Sequence, residues 1–283
     1  MTKQFLRNVE VRIIGDNDTL VLNQGLDTFF EVRKDRSTTP NEARVAIKNL
    51  SDTTRQFIQS NKGLEIYTGY DDDLVLLAKC DITRRATEWQ PPDSITNIEG
   101  YDGLLALKNK RVVLGLANGA TINQAVQSIA KQMGLKLIAN AGIALKTPLK
   151  GGYTHTGTAS QALDDLVGIV NASWGIVNNT LIFTLRGKAL NETKVLTISP
   201  QNGLLAQPEV LDDTLISERV LPKQIKATGY QITMLLRPQL NPFDLIEVQS
   251  NFVNGLFVVD TVEHLGGNRT GEFITRATIY ERK

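Results

Sequence analysis

The strongest constraint on the fold is a helix start that the sequence contains twice, 37 positions apart. Thr121 and Thr158 each begin the pattern Thr-x-x-Gln-Ala. In such a pattern the Thr hydroxyl accepts a hydrogen bond from the amide three residues on, while the Gln side chain accepts one from the amide of the Thr. This reciprocal arrangement is a capping box. The sequence therefore predicts two helices with the same N-terminal cap.

The apolar positions after the two caps correspond one for one. In both copies their spacing places the side chains on one face of a helix. Each helix ends at a residue that tolerates a left-handed cap, Gly134 or Asn171, and a short apolar run follows at 135–138 or 174–177. We therefore expect a small α/β module built from two helix-strand units. The predicted buried positions are Ile122, Ala125, Val126, Ile129, Ala130 and Met133 in the first helix, and Ala159, Ala162, Leu163, Leu166, Val167 and Val170 in the second.

Strand-like sequence precedes this module. In residues 1–100, short runs alternate between apolar and polar side chains, and turn-forming residues separate them. One short helix interrupts the series, with Ser51 as its cap and Asn61 near its end. The pattern predicts an N-terminal β-barrel-like domain over 1–100. Its predicted strands are 9–13, 30–33, 44–48, 64–67, 74–82 and 95–99.

The α/β module itself occupies residues 101–190. Asn178 and Asn179 stand between the apolar runs 175–177 and 181–183, and both tolerate positive φ, so they predict a hairpin turn. Residues 139–157 include two adjacent glycines and are typical of a long loop.

After the module the chain becomes strand-like again, which predicts a connector and a C-terminal β-barrel-like domain over 191–283. Residues 203–222 fit no element clearly, and the pattern leaves open which domain 191–222 joins. The fold class predicted for the whole chain is α+β, mostly β, with two small β-barrel-like domains separated by a small α/β module. The predicted C-terminal strands are 232–236, 245–248, 256–262 and 273–280.

Composition excludes several classes of protein. The 283 residues are 41% hydrophobic, enough to fill the cores of two or three domains. The 31 basic and 30 acidic residues leave a net charge of +1, which gives no general attraction for nucleic acid or anionic membranes. No apolar run approaches the ~20 residues of a membrane-spanning helix, and no secretory signal is visible. The single cysteine, Cys80, excludes an internal disulfide and is expected to be a buried apolar residue.

A search for catalytic and metal-binding patterns finds little. The two histidines, His155 and His264, have no nucleophile at a familiar spacing, and we expect both to be ordinary surface residues. The acidic run 71–73 lacks the ligand spacing of a calcium loop, and the glycines of 115–119 lack the Lys-Ser/Thr of a phosphate-binding loop. We therefore predict no catalytic residues, no cofactor, no metal site and no enzymatic activity.

The order of features resembles that of a known protein family. The first β-region contains Pro-Asn-Glu-Ala-Arg-Val-Ala-Ile-Lys-Asn-Leu-Ser at 40–51, then a short helix, Lys-Gly at 62–63 and Gly-Tyr at 69–70. The last region contains Val-Asp-Thr-Val-Glu-His at 259–264 and Gly-Glu-Phe-Ile-Thr at 271–275. In this order, over nearly the whole chain, the sequence resembles baseplate hub proteins of contractile-tailed bacteriophages.

The resemblance implies a structural virion protein of the tail baseplate, synthesised in the host cytoplasm. Such hubs carry two similar β-barrels per subunit and form homotrimers, so that six barrels make a ring between the hexameric tail tube and the central spike. The implied partners are therefore further copies of the chain, the tail tube protein, the spike protein and other baseplate proteins. Genomic DNA would pass through the ring only as cargo, and no membrane insertion is implied. We expect peptidoglycan cleavage to reside in a partner, and subunit or tube contacts at Tyr70, Tyr230, Met234, Phe252 and Phe257.

Two other functions stay open at this point. Residues 119–122 with 129–130 and 133–135 are similar to the core of a LysM module, which would make the chain a peptidoglycan-binding tail-associated protein, although Ala120 replaces the usual Asp. A hydrolase that uses His155 or His264 is the second alternative.

Overall fold

The computed structural model describes residues 6–23, 25–36, 39–109, 111–193, 195–211 and 228–282. Strands greatly outnumber helices, which confirms the α+β, mostly β class. Within these ranges, none of the helices combines the length and the apolar composition that a membrane crossing requires.

The N-terminal strand set consists of seven strands and one helix. All six predicted strands are present, and the short β2 is an addition. Ser51 accepts a hydrogen bond from the amide of Thr54 and so caps helix α1, as predicted. The strand predicted over 74–82 runs on to Gln90. The elements are β1 (Arg7–Ile14), β2 (Thr19–Leu22), β3 (Thr28–Lys34), β4 (Glu42–Lys48), α1 (Asp52–Ser60), β5 (Gly63–Tyr70), β6 (Asp73–Gln90) and β7 (Asp93–Tyr101).

The α/β module that follows contains two small sheets. Strands β8 and β10 pair antiparallel, while β12 pairs antiparallel with β11 and parallel with β9. The prediction of a long loop over 139–157 is wrong in part, because Tyr153–Thr158 pairs with Arg111–Leu116 and a 3-10 turn covers Gly142–Lys146. The elements are α2 (Leu104–Asn109), β8 (Arg111–Leu116), α3 (Ile122–Met133), β9 (Lys136–Asn140), β10 (Tyr153–Thr158), α4 (Ala159–Val170), β11 (Ala172–Val177) and β12 (Thr180–Leu185).

Both predicted capping boxes are present. The Gln124 side chain accepts from the Thr121 amide at 2.8 Å, and the Thr121 hydroxyl accepts from the Gln124 amide at 3.4 Å. Thr158 and Gln161 repeat the exchange at 3.4 Å in both directions. The helices end at Gly134 and Asn171, both in the left-handed conformation. All the predicted buried positions of the two helices are buried except Val170, which is partly buried.

The C-terminal strand set contains the four predicted strands and two more. Strand β14 lies in the stretch that the sequence left unassigned, of which 212–222 falls outside the described residues. The strands are β13 (Val195–Ile198), β14 (Glu209–Leu211), β15 (Gly229–Leu235), β16 (Leu245–Gln249), β17 (Asn254–Gly267) and β18 (Phe273–Glu281).

The two strand sets form one continuous sheet. Its order is β14-β15-β18-β17-β3-β4-β7-β6-β5-β1-β2, with β16 on β17 and β13 on β16. The junction is the antiparallel pairing of β17 with β3, from Val262 opposite Lys34 to Gly267 opposite Phe29. The sheet does not close into two barrels, contrary to the prediction, because an edge of each set pairs with the other set.

The three largest hydrophobic cores correspond to the three parts of the chain. One fills the α/β module, one lies under the N-terminal strands and one under the C-terminal strands. The N-terminal core also includes Leu236 and Phe273, which follow β15 and begin β18. The strand sets therefore share packing across their junction, and the boundaries at 100/101 and 190/191 stay predictions.

Candidate functional site

His264 is a buried structural residue, so the prediction of a surface position is wrong. It is fully buried, with Nδ1 at 3.0 Å from the Thr275 hydroxyl and Nε2 at 3.2 Å from the Leu240 carbonyl oxygen. The alternation of β17 turns it toward the core. Burial lowers the pKa of His264 well below its ordinary value, so the imidazole is neutral. Its hydrogen bonds join β17, β18 and the chain after β15.

His155 lies in a small polar cluster on the module. Its Nδ1 is 3.7 Å from an Asp165 carboxylate oxygen, and its Nε2 is 3.1 Å from the Thr158 carbonyl oxygen. The Tyr153 hydroxyl lies 3.3 Å from the same carboxylate, and its ring stacks on the imidazole. Burial raises the pKa of Tyr153 to about 12, so the phenol stays protonated. The cluster fastens β10 to α4, and both imidazole nitrogens face structural partners rather than a nucleophile.

The described residues contain no group of three or more histidine, cysteine or carboxylate side chains placed to hold a metal ion. A groove of about 430 Å³ crosses the outer face of β3, β4, β7 and β6. Phe29, Ala46 and Leu265 are among its apolar lining residues. Of the carboxylates around it, Glu99 and Glu272 lie 3.5 and 3.1 Å from arginine nitrogens. Paired charges at its rim suit a surface contact better than acid-base chemistry.

The five predicted interface residues fall into two groups. Met234 and Phe257 are 0% and 1% exposed in the C-terminal core, so their side chains pack within this chain. Phe252, in the turn between β16 and β17, is 82% exposed. Tyr230 is partly exposed and meets Phe257 edge to face, with ring centroids 5.5 Å apart. Tyr70 is also partly exposed and packs on Phe273 instead. The structure thus brings Met234, Phe257 and Tyr230 together in the C-terminal core. An interface role for Phe252, Tyr70 and Tyr230 stays a prediction.

The junction between the strand sets is tightly built. Val32 lies opposite His264, and both are buried. Beside them the Arg33 guanidinium lies 2.9 Å from Glu263. A Cβ atom on Gly266 would lie 2.6 Å from the Phe30 ring, so only glycine allows β17 to pass this closely over β3.

Buried polar contacts fix the module against the N-terminal strands. Asp102 is 2% exposed, and its carboxylate accepts from the amides of Asn178 and Asn179 in the β11–β12 turn. Burial raises the pKa of Asp102, and the hydrogen bond from Asn179 opposes that rise. The Asn41 side chain donates to the Ile176 carbonyl oxygen at 2.7 Å. These bonds hold the module's hairpin at one place on the strand set.

A second set of contacts centres on Arg36, which is 3% exposed. Its guanidinium lies 4.3 Å from the centre of the Phe243 ring and donates to the Tyr280 hydroxyl. It also donates to the Ser173 hydroxyl and the Lys188 carbonyl oxygen, both at 3.3 Å. Arg36, which follows β3, therefore contacts both the module and the C-terminal strand set.

The two strand sets repeat one pairing pattern. Glu42–Lys48 pairs with β7 over seven residues, and Gly229–Leu235 pairs with β18 over seven residues. Strand β6 breaks register once against β7, between Ile82 and Arg84, and β17 breaks register once against β18, between Val259 and Thr261. The orders β3-β4-β7-β6-β5 and β14-β15-β18-β17-β16 therefore correspond strand by strand.

Two of the strand edges left unpaired among the described residues stand out. The second half of β6 pairs only with β7, and β14 pairs only with β15. Each carries a large exposed apolar side chain, Trp89 at 73% and Val210 at 72%. Sequence analysis named neither residue. An aromatic residue next to the Pro91-Pro92 turn was the available signal, because exposed tryptophan is enriched at protein interfaces.

Comparison with known proteins agrees with a structural role. The family model described as Baseplate hub gp41 matches residues 8–279. Two similar solved structures are the tail protein from Neisseria meningitidis MC58, with TM-score 0.65, 13% identity and coverage of 98% of this chain and 97% of that chain, and the 43 kDa tail protein of prophage MuSo2 from Shewanella oneidensis, with TM-score 0.66, 10% identity and coverage of 96% and 97%.

A third similar structure is the Escherichia coli c3393 protein, described as a component of the type VI secretion system with structural similarity to the T4 bacteriophage tail proteins gp27 and gp5. It has TM-score 0.63 and 12% identity, and the match covers 91% of this chain and 74% of that one. At these identities the likenesses show a shared fold. A comparison with curated protein sequences finds no match. These findings confirm the resemblance to phage baseplate hubs and give no support to the LysM-like alternative.

The family model leaves only a few residues at either end of the chain unmatched. The two strand sets, the shared sheet and the structural roles of both histidines agree with a protein that acts by assembly. The protein belongs to the Baseplate hub gp41 family and is a structural component of the bacteriophage tail baseplate.

Proposed function

We propose that three copies of this chain form a closed ring in which N-terminal and C-terminal strand sets alternate. The observation that carries the proposal is the repeated pairing pattern, with seven residues of β4 on β7 and seven of β15 on β18. Two equivalent sets per chain give six in a trimer. A ring of six similar units can contact a hexameric tail tube on one face and a trimeric spike on the other.

Contacts between unlike edges favour a ring. The two candidate edges differ, since one is β14 and the other is the second half of β6. Contacts between different surfaces are heterologous, and they close into a ring when the rotation between copies divides a full turn. In this proposal residues 1–100 and 191–283 are the ring-forming domains and 101–190 is a domain fixed beside them. Phe252, Tyr70 and Tyr230 contact a neighbouring subunit or the tube.

The proposed partners are the tail tube protein, the spike protein and other baseplate proteins. The c3393 protein's described likeness to gp27 and gp5 supports a place next to the spike. A net charge of +1 lets DNA pass without strong retention. In this proposal the chain is synthesised in the host cytoplasm. It acts without catalysis, because the ring nitrogens of both histidines already have structural partners.

The mass of the purified protein in solution tests the ring. Light scattering is expected to give three times the 31.2 kDa of one chain. A protein that stays monomeric and binds neither tube nor spike protein would overturn the proposal. Zymography on peptidoglycan is expected to show no clearing. Clearing that disappears with His155→Ala would show that the chain is an enzyme.

A further inference from the structure

The free half of β6 has an exact counterpart in the C-terminal strand set. Strand β5 covers β6 only as far as Asp81, opposite Gly63. From Arg84 to Gln90 the strand pairs with β7 alone among the described residues. Strand β17 is built in the same way, since β16 covers its first half up to Val258. Its second half, however, is covered by β3.

The strand that corresponds to β3 is β14. Strand β3 flanks β4, and β14 flanks β15 in the same place. The register break of β6 against β7 can be aligned with the register break of β17 against β18. In this alignment Thr87 corresponds to His264, and Val210 corresponds to Val32. The sequences agree as well, because β3 and β14 both contain Glu-Val, at 31–32 and at 209–210.

From this correspondence we propose that β14 of a second copy pairs antiparallel with the free half of β6, with Thr87 opposite Val210. The inference rests on the proposed ring and names the contact that builds it. Within one chain β3 lies on β17, and between chains β14 lies on β6. Each junction then joins an N-terminal set to a C-terminal set, as alternation around a ring requires.

Backbone groups are available at this edge. The Ser94 carbonyl oxygen accepts from the Asn49 amide, so Ser94 faces β4. Trp89 lies opposite Ser94, and in an antiparallel ladder its own N–H and C=O then point away from β7, as do those of Thr87 two residues earlier. The Arg85 side chain donates to the Asn61 carbonyl oxygen and so occupies the edge at residue 85. The accessible part of the edge is therefore 86–90. Proline is absent from 86–90, and an added strand can satisfy the backbone groups of Thr87. In this register Trp89 lies opposite Pro208, which can accept from the Trp89 amide but has no N–H to donate.

Side chains on the β6 and β14 edges are more exposed than their counterparts at the junction of β3 and β17. Val32 and His264 are 1% and 0% exposed where β3 meets β17. Val210 is 72% exposed and Thr87 is also exposed. Pairing the two edges would bury Val210 and bring Trp89 against the added strand. Apolar surface of this kind on an unpaired edge favours another strand over water.

The same register places Glu88 opposite Glu209. Like charges directly opposite each other weaken a strand pair. Changing the charge of one partner is therefore a sensitive test of the register. Glu88→Lys is expected to lower the dissociation constant of the assembly about three- to tenfold, and adding Glu209→Lys is expected to cancel the gain.

Disulfide formation gives a direct test of the contact. Directly opposite residues have Cα atoms about 4.5–5.5 Å apart, within the span of a disulfide. The full-length variant Thr87→Cys with Val210→Cys is expected to give cross-linked trimers after mild oxidation, and an equal mixture of the two single variants is expected to give cross-linked dimers. Cys80 is buried and contributes no background. The matched control pairs Thr87→Cys with Ile143→Cys, which is 85% exposed on the module and is expected to give no specific cross-link.

The outcomes separate this contact from the ring itself. A protein with trimer mass whose double variant does not cross-link, or whose Thr87→Cys variant cross-links to itself, would overturn the β6–β14 contact and leave the ring in place. A monomer by mass would overturn both. Cross-linking of the Glu88→Lys assembly at the same pair would confirm the register.

Discussion

Val32 of β3 lies directly opposite His264 of β17, and this buried pair joins the N-terminal and C-terminal strand sets. The two residues are 232 positions apart in the sequence. Because the imidazole also bonds to Thr275 and to the Leu240 carbonyl oxygen, one side chain connects three parts of the chain at the junction. The stability of the two sets is therefore coupled.

Replacing His264 tests that coupling. His264→Ala leaves the Thr275 hydroxyl and the Leu240 carbonyl oxygen without this partner and opens a cavity, so we expect a loss of about 2–4 kcal/mol in the free energy of unfolding. Urea unfolding measures it. His155→Ala is the matched control, with a loss below about 1 kcal/mol expected. Equal losses for the two variants would contradict the structural role given to His264.

Gly266 tests the close approach of the two strand sets. In Gly266→Ala the new Cβ would lie 2.6 Å from the Phe30 ring and 2.7 Å from the Phe273 ring, both of which are buried. We expect overpacking to cost about 1–3 kcal/mol in the free energy of unfolding. Gly115→Ala is the control, because no atom lies within 4 Å of its Cβ position. A Gly266→Ala protein as stable as this control would show that the strands do not approach so closely.

Asp260 predicts a specific pH dependence. Burial raises the pKa of Asp260 to about 6 from 3.8, although Arg36 opposes the shift. The folded protein therefore binds this proton more tightly than the unfolded chain does. The resulting stabilisation is complete below about pH 4 and is lost as the pH rises through 6. Between pH 7 and pH 5, protonation of Asp260 should add about 1 kcal/mol to the free energy of unfolding.

The measurement is the free energy of unfolding at pH 5 and pH 7 for Asp260→Asn and for wild type. We expect the variant to lack this increment. Asp72→Asn, at an exposed turn, should retain the wild-type difference between the two pH values. An Asp260→Asn protein with the wild-type difference would assign the pH dependence to other groups.

The repeated caps predict equal effects at two sites. Thr121→Ala and Thr158→Ala each remove the hydroxyl that accepts from the N3 amide, at a cost of about 1 kcal/mol in the free energy of unfolding. Thr→Ser at either position keeps the hydroxyl and should restore most of the loss. Thermal unfolding followed by circular dichroism compares the four variants, and a serine variant as unstable as the alanine variant would exclude capping as the cause.

Local signals explain what could be predicted from the sequence. The caps at Thr121 and Thr158 depend on residues three positions apart, so the pattern shows both partners. The turn at Asn178-Asn179 is also local, and both residues adopt positive φ as predicted. Period-two alternation located most strands for the same reason.

Long-range pairing explains what was missed. Nothing near Val32 shows that its opposite residue is His264, and so the sequence predicts two separate barrels where the structure has one sheet. The sequence predicts that the strand beginning at Asp73 ends at Ile82, because the only apolar residues of 83–90, Ala86 and Trp89, do not alternate with period two. The candidate contact site lies in that stretch. It could be identified only when the pairing of β17 with β3 showed which edge of β6 was unoccupied.

Electron-microscopic images of the purified assembly test the central claim most directly. The account predicts closed rings with six similar lobes around a central opening, two lobes from each of three chains. Single particles of one chain, or open filaments of any length, would contradict it.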